Sequence, residues 1–584
     1  MLNLKRLPAG IALLGWNTEL PSSGTGDPLG MTLRVGARLG AELLHCITSI
    51  TPRARYYSFF PWAFQRAQHR TEGESDFVQT MRLVLIDERA MTLGAVLHHK
   101  GHPCDGGGLQ GSNRGVEFAT GSTERSIDLS RWSHLRDNTS GFDAYKGSLI
   151  NLGIFKESVT VSDTENEDGR SAAMSSGELS AKGSLLAGAF DRAVAGTAFV
   201  NLGPASASIE TDILKEFGGA AGLCELRAAD DSDLMPLRDL FFATESDRLN
   251  SHYRRRMSLL LLLWATDIAA GQGLEFNVRA FADLTYYRIV FDDEENTVSV
   301  TPPPALIDIS ERWRIFQFHN YLTTALESLL AGLVRAIRDH AAGRMLEEII
   351  EAFDSIESRE ALGEFLSLEL PIPFMDLSPA DSLALLGIDV HDEADNGKTS
   401  GSFASNPFVE RLLRKALVEQ DFVSGPAGPL LASLLLYSLI LRYDLTVAEA
   451  HKGWNIQKAP DQGADVAMPT VFHMLTVDFG EGWWKMANRE ILTRVLKRFV
   501  IRQHETMSYE KGFGGSPPLF RVDGMMVYGT GLTRDEVDPG NPRFPSAMQV
   551  LRDLRLIASD PEVGQRLTSD GREMLRFYLE DVIS

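Results

Sequence analysis

MTLRVGARLGAELLHCITSITPRARYYSFFPWAFQRAQHR, residues 31–70, carries six arginines (Arg34, Arg38, Arg53, Arg55, Arg66, Arg70) against one acid, Glu42. The whole chain has a net charge of -22, so this basic stretch stands out. It also packs Tyr56, Tyr57, Phe59, Phe60 and Trp62 into seven residues. Arginines beside aromatics bind phosphate and stack bases. They serve equally as internal ion-pair partners of an acidic protein, with the rings in its core. The spacing predicts a helix from about Thr32 to Cys46, with Val35, Leu39, Leu43 and Cys46 in one stripe. Thr48–Pro52 then breaks it, and Pro52 is suited to open the next helix.

Working outward, 584 residues exceed what one core holds, which predicts two to four domains. Apolar content of 44% with 23% charged residues is that of a globular chain and excludes wholesale disorder. The acidic balance argues against non-specific coating of nucleic acid, so any such contact needs a local basic surface. Cys46, Cys104 and Cys224 are too far apart for a disulfide framework and suit a reducing cytoplasm. Ala9–Trp16 imitates a signal peptide loosely but lacks a cleavage site. Leu259–Ala265 is too short for a membrane span and follows Arg254-Arg255-Arg256, so it predicts a core helix.

The pattern is mainly α and multi-domain, with small β additions. Helices are expected at Phe77–His99, Leu234–Thr244, Asn250–Ala270, Asp308–Ala342, Arg344–Leu368, Pro407–Glu419, Leu430–Arg442 and Trp483–Arg502. Thr285–Phe291 and Thr297–Thr301 predict a hairpin. A Ser-, Glu- and Asp-rich stretch, 158–182, reads as a linker, and a loop spans Gly387–Asn406. The expected division is 1–157 (an Arg- and aromatic-rich helical domain), 158–185 (linker), 186–386 and 387–484 (helical), and 485–584.

Local motifs for chemistry are sparse. His98, His99, His102 and Cys104 (HHKGHPC, followed by Asp105) are zinc-type ligands, but Gly101 and Pro103 interrupt them and no second ligand cluster follows. No metal and no cofactor are therefore expected. GGGLQGSNRG, from 106 to 115, has glycines but not the spacing of a phosphate loop. GxSxG and HExxH are absent, and the sequence leaves open whether the protein is an enzyme. Lys485, Arg494, Lys497, Arg498 and Arg502 make 485–502 basic, the pattern of a solvated face.

Two Arg–His pairs, Arg335 with His340 (RAIRDH) and Arg498 with His504 (RFVIRQH), resemble the RxxxxH-type motif of HEPN ribonucleases. That resemblance implies Arg and His acting on a phosphodiester at a dimer cleft. On a straight helix Arg335 and His340 lie about 140° apart, so they meet only across a bend or a second subunit. In NPRFPSAMQVLRDLRLI, Phe544, Ala547, Met548, Leu551 and Leu554 share one face, while Ser546, Gln549 and Arg552 point away and Arg543 stands at the start. With ASDPEVGQ and RLTSDGREMLRFYLEDV after it, the order resembles a winged-helix end over 485–584. This implies a recognition helix, a wing and a closing helix, with the helix entering a DNA groove or docking a protein. Asp553 adjoins the outward face. The string DPLGMTLRVGARLGAELL…TSITPRARYYSFFPWAF is similar to uncharacterised bacterial proteins of mobile-element or antiphage-defence type.

These readings converge on a cytoplasmic bacterial protein that binds or senses nucleic acid, DNA first, with other protein subunits and no membrane. Arg53, Arg55, Arg66, Tyr56, Tyr57, Arg543, Gln549 and Arg552 are the expected contacts. A HEPN-like or other nuclease using Arg335, His340, Arg498 or His504 is the alternative, and a structural adaptor is the second.

Overall fold

The structure, a computed structural model, describes residues 27–71, 77–100, 109–121, 125–132, 140–156, 177–202, 208–223, 226, 233–242, 251–291, 297–370, 372–388, 390, 408–419, 422–423, 425–442, 482–510, 518–534, 537 and 540–580. It is mainly helical with small sheets. No described helix is long and apolar enough to cross a membrane. The segment Ala9–Trp16, the linker core 157–176, His102, Cys104 and Asp105, and most of the loop Gly387–Asn406 lie outside the described residues.

Contacts divide the chain into two units, each assembled from two separate stretches: Met1–Arg38 with Ile315–Gly540, and Leu39–Arg314 with Asn541–Ser584. This division does not run along the consecutive segments expected from sequence. The break at Gly540 falls inside the expected 485–584 segment.

In the Leu39–Arg314/Asn541–Ser584 unit the helix Tyr56–Arg70 is the centre. Tyr56 to Ala63 are all buried, so the element is apolar on every side and can exist only within a core. Pro52 lies ahead of this helix rather than opening it, and Pro61 is accommodated inside. It packs against Ala181–Val194 and Phe77–His98, and the latter packs along Thr211–Ala221. That last pairing is unusually close. A Cβ on Gly94 would lie 2.3 Å from the Leu214 carbonyl oxygen, and one on Gly218 would lie 1.8 Å from the Gly94 carbonyl carbon. Only glycine on both helices permits this approach.

Small two-stranded sheets complete the unit. Ser126–Asp128 pairs with Ser208–Glu210, Ile289–Phe291 with Thr297–Ser299, and Ile557–Asp560 with Gly564–Leu567. Of the predicted strand Thr285–Phe291, only the last three residues are strand. Thr285–Tyr287 finish the helix Val278–Tyr287, which ends where Arg288 turns left-handed (φ 62°). Near the carboxy terminus the helix Phe544–Asp553, the hairpin and the helix Ser569–Glu580 follow in the expected order. Phe544, Met548 and Leu551 are buried as their common face requires.

In the other unit the helix Gly428–Arg442 is buried at every position and contacts Val409–Arg414, Pro379–Ala384 and Ile356–Leu366. Glu410 and Arg442 are joined there by two hydrogen bonds, 2.8 and 3.0 Å. A three-stranded sheet sets Met526–Gly529 between Arg344–Met345 and Phe520–Asp523. The single helix expected at Arg344–Leu368 is instead a short strand and two helices, Leu346–Phe353 and Ile356–Leu366. Ser355 caps the second by accepting from the Ser358 amide, and Asp354 accepts from the Phe374 and Met375 amides, so both residues are drawn out of helical pairing.

The Gly94–Gly218 contact makes a direct prediction. Gly218→Ala must push two long helices apart and should destabilise by about 1–3 kcal/mol or more in denaturant unfolding. Gly147→Ala, where a Cβ meets nothing within 4 Å, should stabilise the helix Phe142–Asn151 by up to about 1 kcal/mol. Equal effects at the two sites would refute the close-packing account.

Candidate anion-binding corner

The arginines and aromatics expected to meet nucleic acid are mostly inside the fold. Arg53 and Arg55 are each 1% exposed, and Tyr56 and Tyr57 are fully buried. Arg53 Nη2 lies 2.9 Å from Asp553 Oδ1, and its Nε donates to Asp553 Oδ2 at 3.0 Å. Arg55 pairs with Asp233 at 3.3 Å and donates to the Gly222 carbonyl. The Tyr57 hydroxyl donates to the Cys46 carbonyl at 2.8 Å, and the Tyr56 hydroxyl accepts from the Gln110 amide at 3.0 Å. Arg66 donates to the Phe199 carbonyl at 2.9 Å, stands 3.7 Å from buried Asp87, and lies over the Trp62 and Phe199 rings.

The face of Phe544–Asp553 expected outward is also turned in. Ser546 and Gln549 are buried. Gln549 receives a hydrogen bond from Arg552 (2.7 Å) and donates to Asp553 (2.8 Å), which itself accepts from Arg53 and the Ala54 amide. Burial pushes the Asp553 carboxyl upward, and Arg53 opposes that by favouring its charged form. Arg53 and Gln549 thus hold a core carboxylate instead of facing a base or phosphate, and half-buried Arg552 is bonded to Gln549.

The Arg–His pairs are separated in role. Arg335 donates to the Val423 carbonyl at 3.3 Å, while exposed His340 lies in the turn beyond the helix end at Ile337. His504 is buried. Its Nδ1 lies 3.1 Å from the Pro28 carbonyl, and its Nε2 accepts from the Leu519 amide at 3.0 Å. With both ring nitrogens spent on backbone, it is a structural histidine. His319 is also buried, but only one ring nitrogen is bonded to backbone. Its Nε2 donates to the Met31 carbonyl at 2.8 Å, Nδ1 has no hydrogen-bond partner among the described residues, and burial lowers its pKa to about 4. His98 and His99 end their helix ring-to-ring, 5.1 Å apart, and no group of three potential metal ligands occurs among the described residues.

One predicted contact, Arg543, is half-buried and belongs to a different cluster. It stands at the start of Phe544–Asp553 and donates to the Ile47 carbonyl at 2.6 Å. His45 and His252 meet edge to face at 5.1 Å. Arg254, 15% exposed, stands 3.9 Å from Glu42, and buried Arg255 donates to the Leu240, Phe241 and His45 carbonyls. Burial first, and then Arg255, His252, Arg254 and Arg543, lower the His45 pKa to about 4, leaving its imidazole neutral at pH 7. The charges that act on His45 are all positive, and Glu42 stands beside Arg254 as its ion-pair partner. The helix Phe544–Asp553 begins here, with Arg543 at its N-cap, and its amino-terminal dipole end favours an anion. The neighbouring Cys46 thiol is driven up to about 11 by burial and is unreactive.

Sequence reasoning passed over this corner. Its signal was Arg254-Arg255-Arg256, three consecutive cations leading into an apolar run in an acidic chain. No family model, curated protein or solved structure matches the chain.

Two tests follow. Arg53→Ala strands Asp553 in the core and should cost about 3–5 kcal/mol by chemical unfolding. Replacing both partners, Arg53→Met with Asp553→Leu, should recover part of that loss, and no recovery would argue against the pair. His319 titrates near 4 when folded and near 6.5 when unfolded. Acidification through that window therefore protonates the unfolded chain first and lowers stability. His319→Gln should flatten the stability slope between those pH values, and an unchanged slope would assign it to other groups.

Proposed function

We propose that the protein is a nucleic-acid-binding or sensing component of a bacterial multi-protein system of antiphage-defence type, and that it meets phosphate at the corner formed by His45, His252, Arg254 and Arg543. The observation that carries this reading is the convergence of Arg254, Arg255, His252 and Arg543 on His45 beside the start of the helix Phe544–Asp553. A phosphate there gains charge-assisted hydrogen bonds from half-buried guanidinium groups. It also raises the His45 pKa, so binding takes up a proton and tightens as pH falls.

The helix–hairpin–helix order over Phe544–Glu580 supports a winged-helix reading of this end. Because Ser546 and Gln549 are buried, the helix does not read bases with that face, and the contact is to backbone phosphate. A structural adaptor is the second reading. It is favoured by the internal pairing of Arg53 and Arg55, which removes the longest-range argument for nucleic acid.

The test is anisotropy of a labelled DNA duplex over a salt series. His252→Gln with Arg254→Gln should melt near wild type, bind more weakly, and lose roughly 0.7–0.9 of salt slope per phosphate contact removed. No binding by the wild type at low salt, or identical salt slopes, would leave the adaptor reading in its place.

A further inference from the structure

The helix Ile356–Leu366 and the turn after it frame an open groove of about 810 Å³. Ile356, Leu368 and Leu370 line it together with Gly363, and Ile356 is 68% exposed. The floor is set by local geometry. Ser367 takes a left-handed conformation (φ 55°) and the Leu368 amide donates back to the Gly363 carbonyl at 3.0 Å. This folds the chain over residue 363, where a Cβ would lie 2.7 Å from the Leu368 carbonyl oxygen. Glycine at 363 thus lets the turn close against the helix and keeps the groove free of a side chain at that point.

The rim is acidic. Glu360 and Glu364 stand one helical turn apart, and Glu369 lies beyond the turn. Arg359, the one cation lining the groove, is directed at Asp354, 3.8 Å away. Among the described residues Glu360, Glu364 and Glu369 hold no ion pair. Like-charged groups at i and i+4 repel one another on the free helix, so the arrangement costs stability until a cation is brought to it. An exposed isoleucine between carboxylates has the same character: apolar surface with a charge-selective border.

We infer that this groove docks a basic amphipathic helix of a protein partner, with branched apolar anchors on Ile356, Leu368 and Leu370 and lysines or arginines against Glu360, Glu364 and Glu369. The size is that of a site taking one or two turns of helix, with anchors at i, i+3 or i+4, and i+7. Charge sets the choice of partner, since an acidic helix would meet three carboxylates of its own sign.

The probe is a synthetic 14-residue peptide of leucine and lysine with leucines at helical spacing, measured against the full chain by titration calorimetry. Controls are a peptide of the same composition with the leucines out of phase and one with glutamate in place of lysine. The in-phase lysine peptide should bind saturably. Glu360→Gln with Glu364→Gln, and separately Ile356→Ser, should each weaken it about 10-fold or more while the melting temperature holds. Equal binding of the out-of-phase peptide would reduce the effect to bulk charge and overturn the proposal. So would undiminished binding by both variants. A sedimentation result in which the wild type is a dimer and Ile356→Ser a monomer would overturn it as well, by assigning the groove to a second copy. None of these outcomes bears on the phosphate corner, whose readout is the salt dependence of DNA binding.

Discussion

Asp553 is the point on which the Leu39–Arg314/Asn541–Ser584 unit depends. A helix whose first nine residues are all buried, as Tyr56–Phe64 are, can be entered by an Arg-x-Arg sequence only if each guanidinium finds a carboxylate in the core. Asp553 supplies one and Asp233 the other, and the Ser58 hydroxyl donates to Asp233 as well. The supply is reciprocal, because the buried carboxylates would be equally costly without their arginines. Tyr145 adds a backbone clamp by accepting from the Arg53 amide at 3.0 Å, and it packs its ring against Tyr56 and Tyr57. Charges and aromatics of the same stretch therefore form one polar–apolar core layer.

This explains which parts of the fold were legible from the sequence. Periodicity identified Phe77–His98 and Ser251–Gly271, because long amphipathic or wholly apolar runs declare themselves without knowledge of the partner. The apolar face of Phe544–Asp553 was equally plain. Its polar face was not, since Gln549 and Asp553 look like surface residues until Arg53 is known to lie against them. Arginine beside tyrosine has the same local signature whether the counter-charge is a phosphate or an aspartate, and only the tertiary pairing distinguishes them. The break at Asp354–Ser355 was hidden for a similar reason: Asp354 caps the amides of residues twenty positions away. The candidate corner was illegible because its members, Glu42, His45, Arg254 and Arg543, are far apart in the chain.

The two surface features with functional potential have opposite sign. One gathers guanidinium and imidazole groups at helix starts, and the other sets carboxylates around exposed apolar side chains. A chain with a net charge of -22 has a mean field that repels polyanions, so a polyanion can be held only where cations gather locally. The same field attracts cationic protein segments broadly, and the apolar floor of the groove then decides which of them stay.

The ion pair between Arg53 and Asp553 joins residues 500 positions apart. During synthesis at roughly 5–20 residues per second, the arginine emerges about 25–100 s before its carboxylate exists. Throughout that interval the ring-laden helix Tyr56–Arg70 lacks the segment that closes its core. The nascent chain must therefore carry this aromatic-rich element without its counter-charge while the intervening 500 residues are made. Its exposed rings are then open to association with other chains for that time, which makes slow synthesis a hazard for this fold.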